Sequence, residues 1–217
     1  MLIDIVSLIL KGLIVGMVVS APMGPVGVLC VQRTLNKGRW FGFVTGVGGA
    51  LSDLIYALIT AFGLSFVLGL LEKGHNMLYL QLLGGVMLFL FGVYTYRSNP
   101  NKNMRPVSAK KGTLWKNFVT AFFVTFSNPL IIFLFLGLFA RFNFVDNEQP
   151  LWMDLLGYLS IITGALCWWL WLTYSIDKVK NRFKPGGIWL INRIIGAVVM
   201  VASLISVIWT ITGNTMY

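Results

Sequence analysis

Acidic side chains are scarce in this chain. Asp and Glu together number 7 in 217 residues, and charged residues of both signs make up only 11%. An ordinary soluble domain carries about 25%. With 57% hydrophobic residues, this chain would have too little polar surface to cover a core in water. A protein facing lipid needs no such cover. A soluble globule is thereby excluded. Histidine occurs once, as His75, and cysteine twice, as Cys30 and Cys167. The cysteines form no CxxC pair and no metal-ligand spacing, and read as free thiols acting as small apolar groups. No His/Cys/carboxylate cluster, nucleophile–base pair or phosphate-cradling loop is present, so neither an enzyme, a cofactor nor a metal site is expected.

What the chain does have is long apolar runs and basic connectors. A spanning helix needs roughly 20 mostly apolar residues. Six stretches qualify: about 12–31 (with a start as early as Ile3), 41–71, 77–96, 117–140, 151–176 and 188–212. The N-terminal run, with Asp4 ahead of any basic residue, is too long for a cleavable leader and is expected to be retained. The net charge of +10 collects between the runs rather than in one patch, which points to membrane anchoring and not to nucleic acid. Connector 32–40 holds Arg33, Lys37 and Arg39; connector 97–116 holds Arg97, Lys102, Arg105, Lys110, Lys111 and Lys116; connector 177–187 holds Lys178, Lys180, Arg182 and Lys184 against Asp177. The other side holds Asp4, Glu72, Asp146, Glu148 and Asp154. By the positive-inside rule the basic connectors are cytoplasmic, and six spans place both termini outside.

The runs also repeat. Gly49-Ala50-Leu51 in the second recurs as Gly164-Ala165-Leu166 in the fifth, and Leu82-Leu83-Gly84-Gly85-Val86 in the third is echoed by Ile194-Ile195-Gly196-Ala197-Val198 in the sixth. The first and fourth runs are interrupted by Pro22-Met23-Gly24-Pro25 and by Ser127-Asn128-Pro129. The order is the same in both halves, and three spans per half force opposite orientations, the inverted-repeat pattern of secondary transporters. The expected fold is an all-α integral membrane protein of six transmembrane helices, built as two inverted three-helix repeats with helices one and four broken. One domain, 1–217, divides at about 1–97 and 113–217, with a cytoplasmic linker at 98–112.

The breaks and one acid are the candidate site. Proline inside a helix removes a backbone donor and clashes with the preceding turn. In lipid the freed backbone groups must find partners, or line a cavity and hold a substrate. The half-helix after Pro25, like the one after Pro129, presents a positive dipole end that suits a carboxylate. One proline alone would read as a packing kink; two at corresponding places in a repeat read as a binding site. Asp53 is the one acid deep in an apolar run. Its charge costs roughly 2.5–3.5 kcal/mol at the bilayer centre on insertion scales, so it should face the protein interior, protonated, paired or solvated. It would bind a substrate ammonium group or carry a coupled proton; the plainer alternative is a structural acid bonded to Ser52 or to a carbonyl at a break. Thr125, Ser127 and Ser20 flank the breaks and are expected to bond freed backbone groups. The pairs Gly12/Gly16 and Gly42/Gly46 read as close helix packing. The Trp168-Trp169-Trp171 cluster fits a cavity wall and a lipid face equally.

Taken in order, Gly24-Pro25-Val26-Gly27-Val28-Leu29-Cys30-Val31-Gln32, Leu35-Asn36-Lys37-Gly38-Arg39, the glycine-rich second run and Ser127-Asn128-Pro129 resemble the lysine exporter (LysE/RhtB) family of amino-acid exporters. The resemblance covers nearly the whole chain. It implies an exporter in the bacterial inner membrane that moves small amino-acid-like solutes outward, by exchange for protons or driven by the membrane potential. Pro22, Gly24 and Pro25 match the family's first broken helix, Asn128 and Pro129 the second, and Ser52-Asp53 resembles the Ser-Asp pair of the lysine-exporting branch. A homodimer is compatible with the resemblance, although no surface for it is legible. Met23 and Val26-Gly27 stand where polar residues are frequent, and Leu130-Ile131-Ile132-Phe133 follows the second break. This favours a neutral or apolar amino acid, or another amphiphile, over lysine. Two alternatives stay open. A metal-ion exporter would need several oxygen ligands, where only Asp53 is available in the core. A membrane redox protein would need cysteines at matching places in runs one and four, and Cys30 has no counterpart.

Overall fold

The computed structural model describes residues 2–70, 75–99, 112–145, 149–180 and 186–212. They form eight helices: α1 (Leu2–Ser20), α2 (Pro25–Lys37), α3 (Arg39–Leu70), α4 (His75–Arg97), α5 (Leu114–Phe126), α6 (Leu130–Phe142), α7 (Leu151–Val179) and α8 (Gly186–Ile211). No strand occurs among the described residues. Five helices are long and apolar enough to cross a membrane: α1, α3, α4, α7 and α8. The pair α5 and α6 passes the same test together, bent by 72° at the residues between them, so the spans number 5, or 6 if that pair is one. Expected linker 98–112 lies outside the described residues except at 98, 99 and 112.

Both proline interruptions coincide with the ends of helices. The helical ladder stops at Ser20 and restarts at Pro25, where a fixed φ and a missing N–H suit the first turn. It stops again at Phe126 and restarts at Leu130, with Pro129 as the capping residue. The stretch read as one run over 12–31 is therefore two helices, and α2 carries it on to Lys37. Only Gly38 then separates α2 from α3, at φ 106°, a conformation open to glycine and strained for other residues. The connector expected at 32–40 is thus mostly helix, and Arg33 is buried rather than a loop charge.

The helices pack largely in pairs. Helix α1 lies on α7, α5 lies on α3, and α4 lies on α8; α2 folds back on α3, and α6 packs on α4. Glycine permits the closest approaches. A Cβ at Gly12 would stand 2.7 Å from the Ser160 Cβ, and one at Gly16 or Gly164 would strike the backbone of Ile161 or Leu13. On the other pair, a Cβ at Gly48 would strike the Phe118 carbonyl. Gly42 and Gly46 face Thr34 and Trp169 in the same way. Close contact of this kind is how helices associate in lipid, where burial of apolar surface drives nothing. The outward faces are large and apolar, with Phe62, Phe66, Trp115, Leu151, Leu159, Trp171 and Ile211 among the exposed side chains. In water such a surface would be an aggregation site; against acyl chains it is matched.

Candidate functional site

A cavity of about 630 Å³ lies where the two interruptions meet. Its wall includes Ser20, Pro22, Met23, Gly24 and Pro25 from the first, Thr125 and Asn128 from the second, Gly49 and Asp53 from α3, Phe91, Tyr94 and Thr95 from α4, Trp169 from α7 and Asn192 from α8. Of the residues singled out in the sequence, Asp53, Pro22, Gly24, Pro25 and Asn128 line this one space. Ser127 and Pro129 are exposed and do not line it.

Each interruption has its freed backbone groups satisfied differently. At the first, Gly24 N–H donates to the Pro22 carbonyl (2.8 Å) and Val28 N–H to the Gly24 carbonyl (3.0 Å). Met23 is held from another helix: its N–H donates to Asn192 Oδ1 at 2.7 Å, and Asn192 Nδ2 donates to its carbonyl at 3.3 Å. At the second, the bonds are mostly local. Ser127 Oγ donates to the Phe123 carbonyl (2.8 Å), Asn128 N–H to the Thr125 carbonyl (2.9 Å), and Leu130 N–H to Asn128 Oδ1 (3.3 Å). The Tyr56 hydroxyl reaches over from α3 to the Phe126 carbonyl, the orphan acceptor at the end of α5.

Several polar side chains in the wall are left unbonded. Asp53 is 7% exposed and, among the described residues, has no hydrogen-bond or ion-pair partner. The alternative of a structural acid bonded to Ser52 is not realised, since the Ser52 hydroxyl is itself buried without a partner. Ser20 Oγ, Thr125 Oγ1 and Trp169 Nε1 are likewise buried and unpartnered. The expectation that Ser20 and Thr125 bond freed backbone therefore fails, and the Phe123 carbonyl that Ser127 Oγ bonds is not a freed one, since it also accepts the Ser127 N–H. Trp169 is buried in the wall and Trp171 is exposed, which divides the tryptophan cluster between its two readings. A buried polar group is ordinarily bonded, so this cluster calls for water or a ligand. The first turn of α2 adds N–H groups with no intrahelical acceptor, and Val26 and Gly27 both line the cavity. The lining thus combines one carboxyl group with several donors and a helix N-terminus, and with Met23, Phe91, Ile131, Leu134 and Trp169 as an apolar part.

The profile of the LysE type translocators matches residues 17–207, which takes in both interruptions and the whole cavity wall. The chain belongs to the LysE type translocator family. This is a family of membrane transporters, not of enzymes. The "Putative amino acid efflux protein YcgF" of Bacillus subtilis (strain 168) is 28% identical over 177 residues, 81% of this chain and 83% of the relative. The "Uncharacterized membrane protein YahN" of Escherichia coli (strain K12) is 26% identical over 176 residues, 80% of this chain and 77% of the relative. The "Uncharacterized membrane protein slr1627" of Synechocystis is 26% identical over 170 residues. No solved structure is significantly similar.

Two polar residues of this translocator were not legible beforehand. Asn192 is 1% exposed inside an otherwise apolar run; a lone amide there was the available signal. Arg33 donates to Thr45 Oγ1 (2.9 Å), to the Asn117 carbonyl (2.8 Å) and to Thr120 Oγ1 (2.7 Å), joining α2 to α3 and α5. In sequence it is one basic residue among three in a short hydrophilic stretch, and nothing there separates it from Lys37 and Arg39.

Proposed function

We propose that this translocator exports amino-acid-like zwitterions by alternating access, with the cavity as the substrate site. One observation carries the proposal: both helix interruptions and the one deep carboxylate border the same space. The substrate carboxylate would lie at the first turn of α2, near the unbonded hydroxyls of Ser20 and Thr125, and the ammonium at Asp53. Asn128, Pro22, Gly24 and Pro25 shape that floor. Ser127 and Pro129 act only by forming the second interruption. Among the described residues Asp53 is the sole ionisable acid or base of the Asp, Glu, Lys and Arg type in the wall, so a second positive charge on a dibasic substrate would have no counterpart there. The apolar wall suits a neutral or apolar side chain instead.

The exchange of partners between the halves supports an inverted repeat: α1 on α7 mirrors α5 on α3, and α4 on α8 maps onto itself. The pseudo-symmetry is incomplete, since α2 folds back on α3 while α6 packs on α4. A repeat with its two halves in different arrangements is what one end state of a rocking transporter looks like. The amino-acid efflux named for the Bacillus relative agrees with this reading. Lys37, Arg39, Arg97, Lys116 and Lys178 at helix ends would mark the cytoplasmic side.

Proton coupling through Asp53 gives the test. Asp53→Asn should abolish transport driven by an imposed pH gradient while substrate binding stays measurable. Full gradient-driven transport by that variant would remove Asp53 from the coupling role.

A further inference from the structure

We propose that Asn192 is a positioning residue of the substrate cavity: from α8 it grips both backbone polar groups of Met23, and so sets the direction of the first turn of α2. The inference rests on the cavity being the substrate site.

Pro22, Met23, Gly24 and Pro25 carry no side-chain oxygen or nitrogen, and the Ser20 hydroxyl is unpartnered. The second interruption uses its own amide, since Asn128 Oδ1 accepts from Leu130 two residues on. The first borrows an amide from 169 residues away. Asn192 spends one acceptor and one donor on one peptide residue, a two-point hold that fixes orientation as well as distance. Met23 is 0% exposed and Asn192 1%, so both bonds are buried. The consequence is mechanical. Helix α8 packs chiefly on α4 and presents Leu190, Ile194, Val198 and Val201 outward. Its hold on Met23 is the polar link between that outer pair and the interruption where α2 begins. Any shift of α8 against α1 and α2 must either carry the interruption with it or break two buried hydrogen bonds.

The test uses the full chain in nanodiscs and in proteoliposomes, with Asn192→Leu and Asn192→Asp. A protonated carboxyl keeps one donor and one acceptor in the shape of the amide; an ionised one keeps acceptors only and opposes the Met23 carbonyl. Asn192→Leu should raise KM for the transported amino acid about tenfold or more, the equivalent of one lost buried bond. Asn192→Asp should match the parent chain near pH 5 and fall behind it as pH rises toward 8. The parent is measured at each pH, because Asp53 and Tyr94 line the same cavity. Independently of any substrate, amide exchange across residues 19–28 should speed up in Asn192→Leu. Unchanged exchange and unchanged KM in that variant would overturn the inference. If Asn192→Leu does not fold, a flat ratio of Asn192→Asp to parent across pH overturns it. Faster exchange in a chain that moves no amino acid would leave Asn192 in its role and remove the substrate reading instead.

Discussion

At the scale of the residue, polarity inside an apolar run is the signal, and it is readable only when the residue stands alone. Asp53 was legible because no other acid lies deep in a run. Arg33 was not, because its partners Asn117 and Thr120 are 84 and 87 positions away and only the fold makes it a buried cation. Its planar fork serves acceptors on two helices at once, which a lysine ammonium cannot reproduce. Arg33→Lys should therefore cost roughly 1.5–3 kcal/mol, the range for hydrogen bonds from a charged group, read as a lower thermal midpoint in detergent. A midpoint equal to that of the parent would show the hold on Thr45, Asn117 and Thr120 to be idle. Gly24 separates site from fold. A Cβ there would meet nothing within 4 Å, and its backbone suits any residue. Gly24→Ala should leave stability within about 0.5 kcal/mol while placing a methyl group in the cavity, so its effect should appear in KM. An unchanged KM would place the substrate elsewhere.

At the scale of the element, apolar composition located the long helices. Runs of apolar residues gave α3, α4, α7 and α8 to within a few residues. Along the first and fourth runs the described helices end at Ser20 and Phe126 and resume at Pro25 and Leu130. The sequence does not show that α2 continues to Lys37: its polar C-terminal half looks like a connector, yet Arg33 and Thr34 within it are buried, Arg33 against α3 and α5 and Thr34 against α3. Glycines differ in what they permit, and space decides it. Gly164→Ile drives a branched side chain into the Leu13 backbone and should cost about 1–3 kcal/mol or more by overpacking the α1–α7 contact. Gly63 meets nothing within 4 Å, so Gly63→Ala should be neutral or stabilise by up to about 1 kcal/mol through helix propensity. Equal thermal midpoints for the two variants would contradict the packing account of α1 on α7.

At the scale of the whole molecule, membrane character followed from the shortage of charge, and family membership from motifs whose order spans the chain. The cavity did not follow from either. It needs Asp53, both interruptions and residues as distant as Trp169 and Asn192 in one place, which only tertiary packing supplies. Outward passage of amino acids through this cavity is what we propose. It is tested most directly by efflux from proteoliposomes preloaded with labelled amino acids, with and without an imposed pH gradient. We expect gradient-dependent release of a neutral or apolar amino acid and little release of lysine. No release of any amino acid from protein shown to be folded would contradict it.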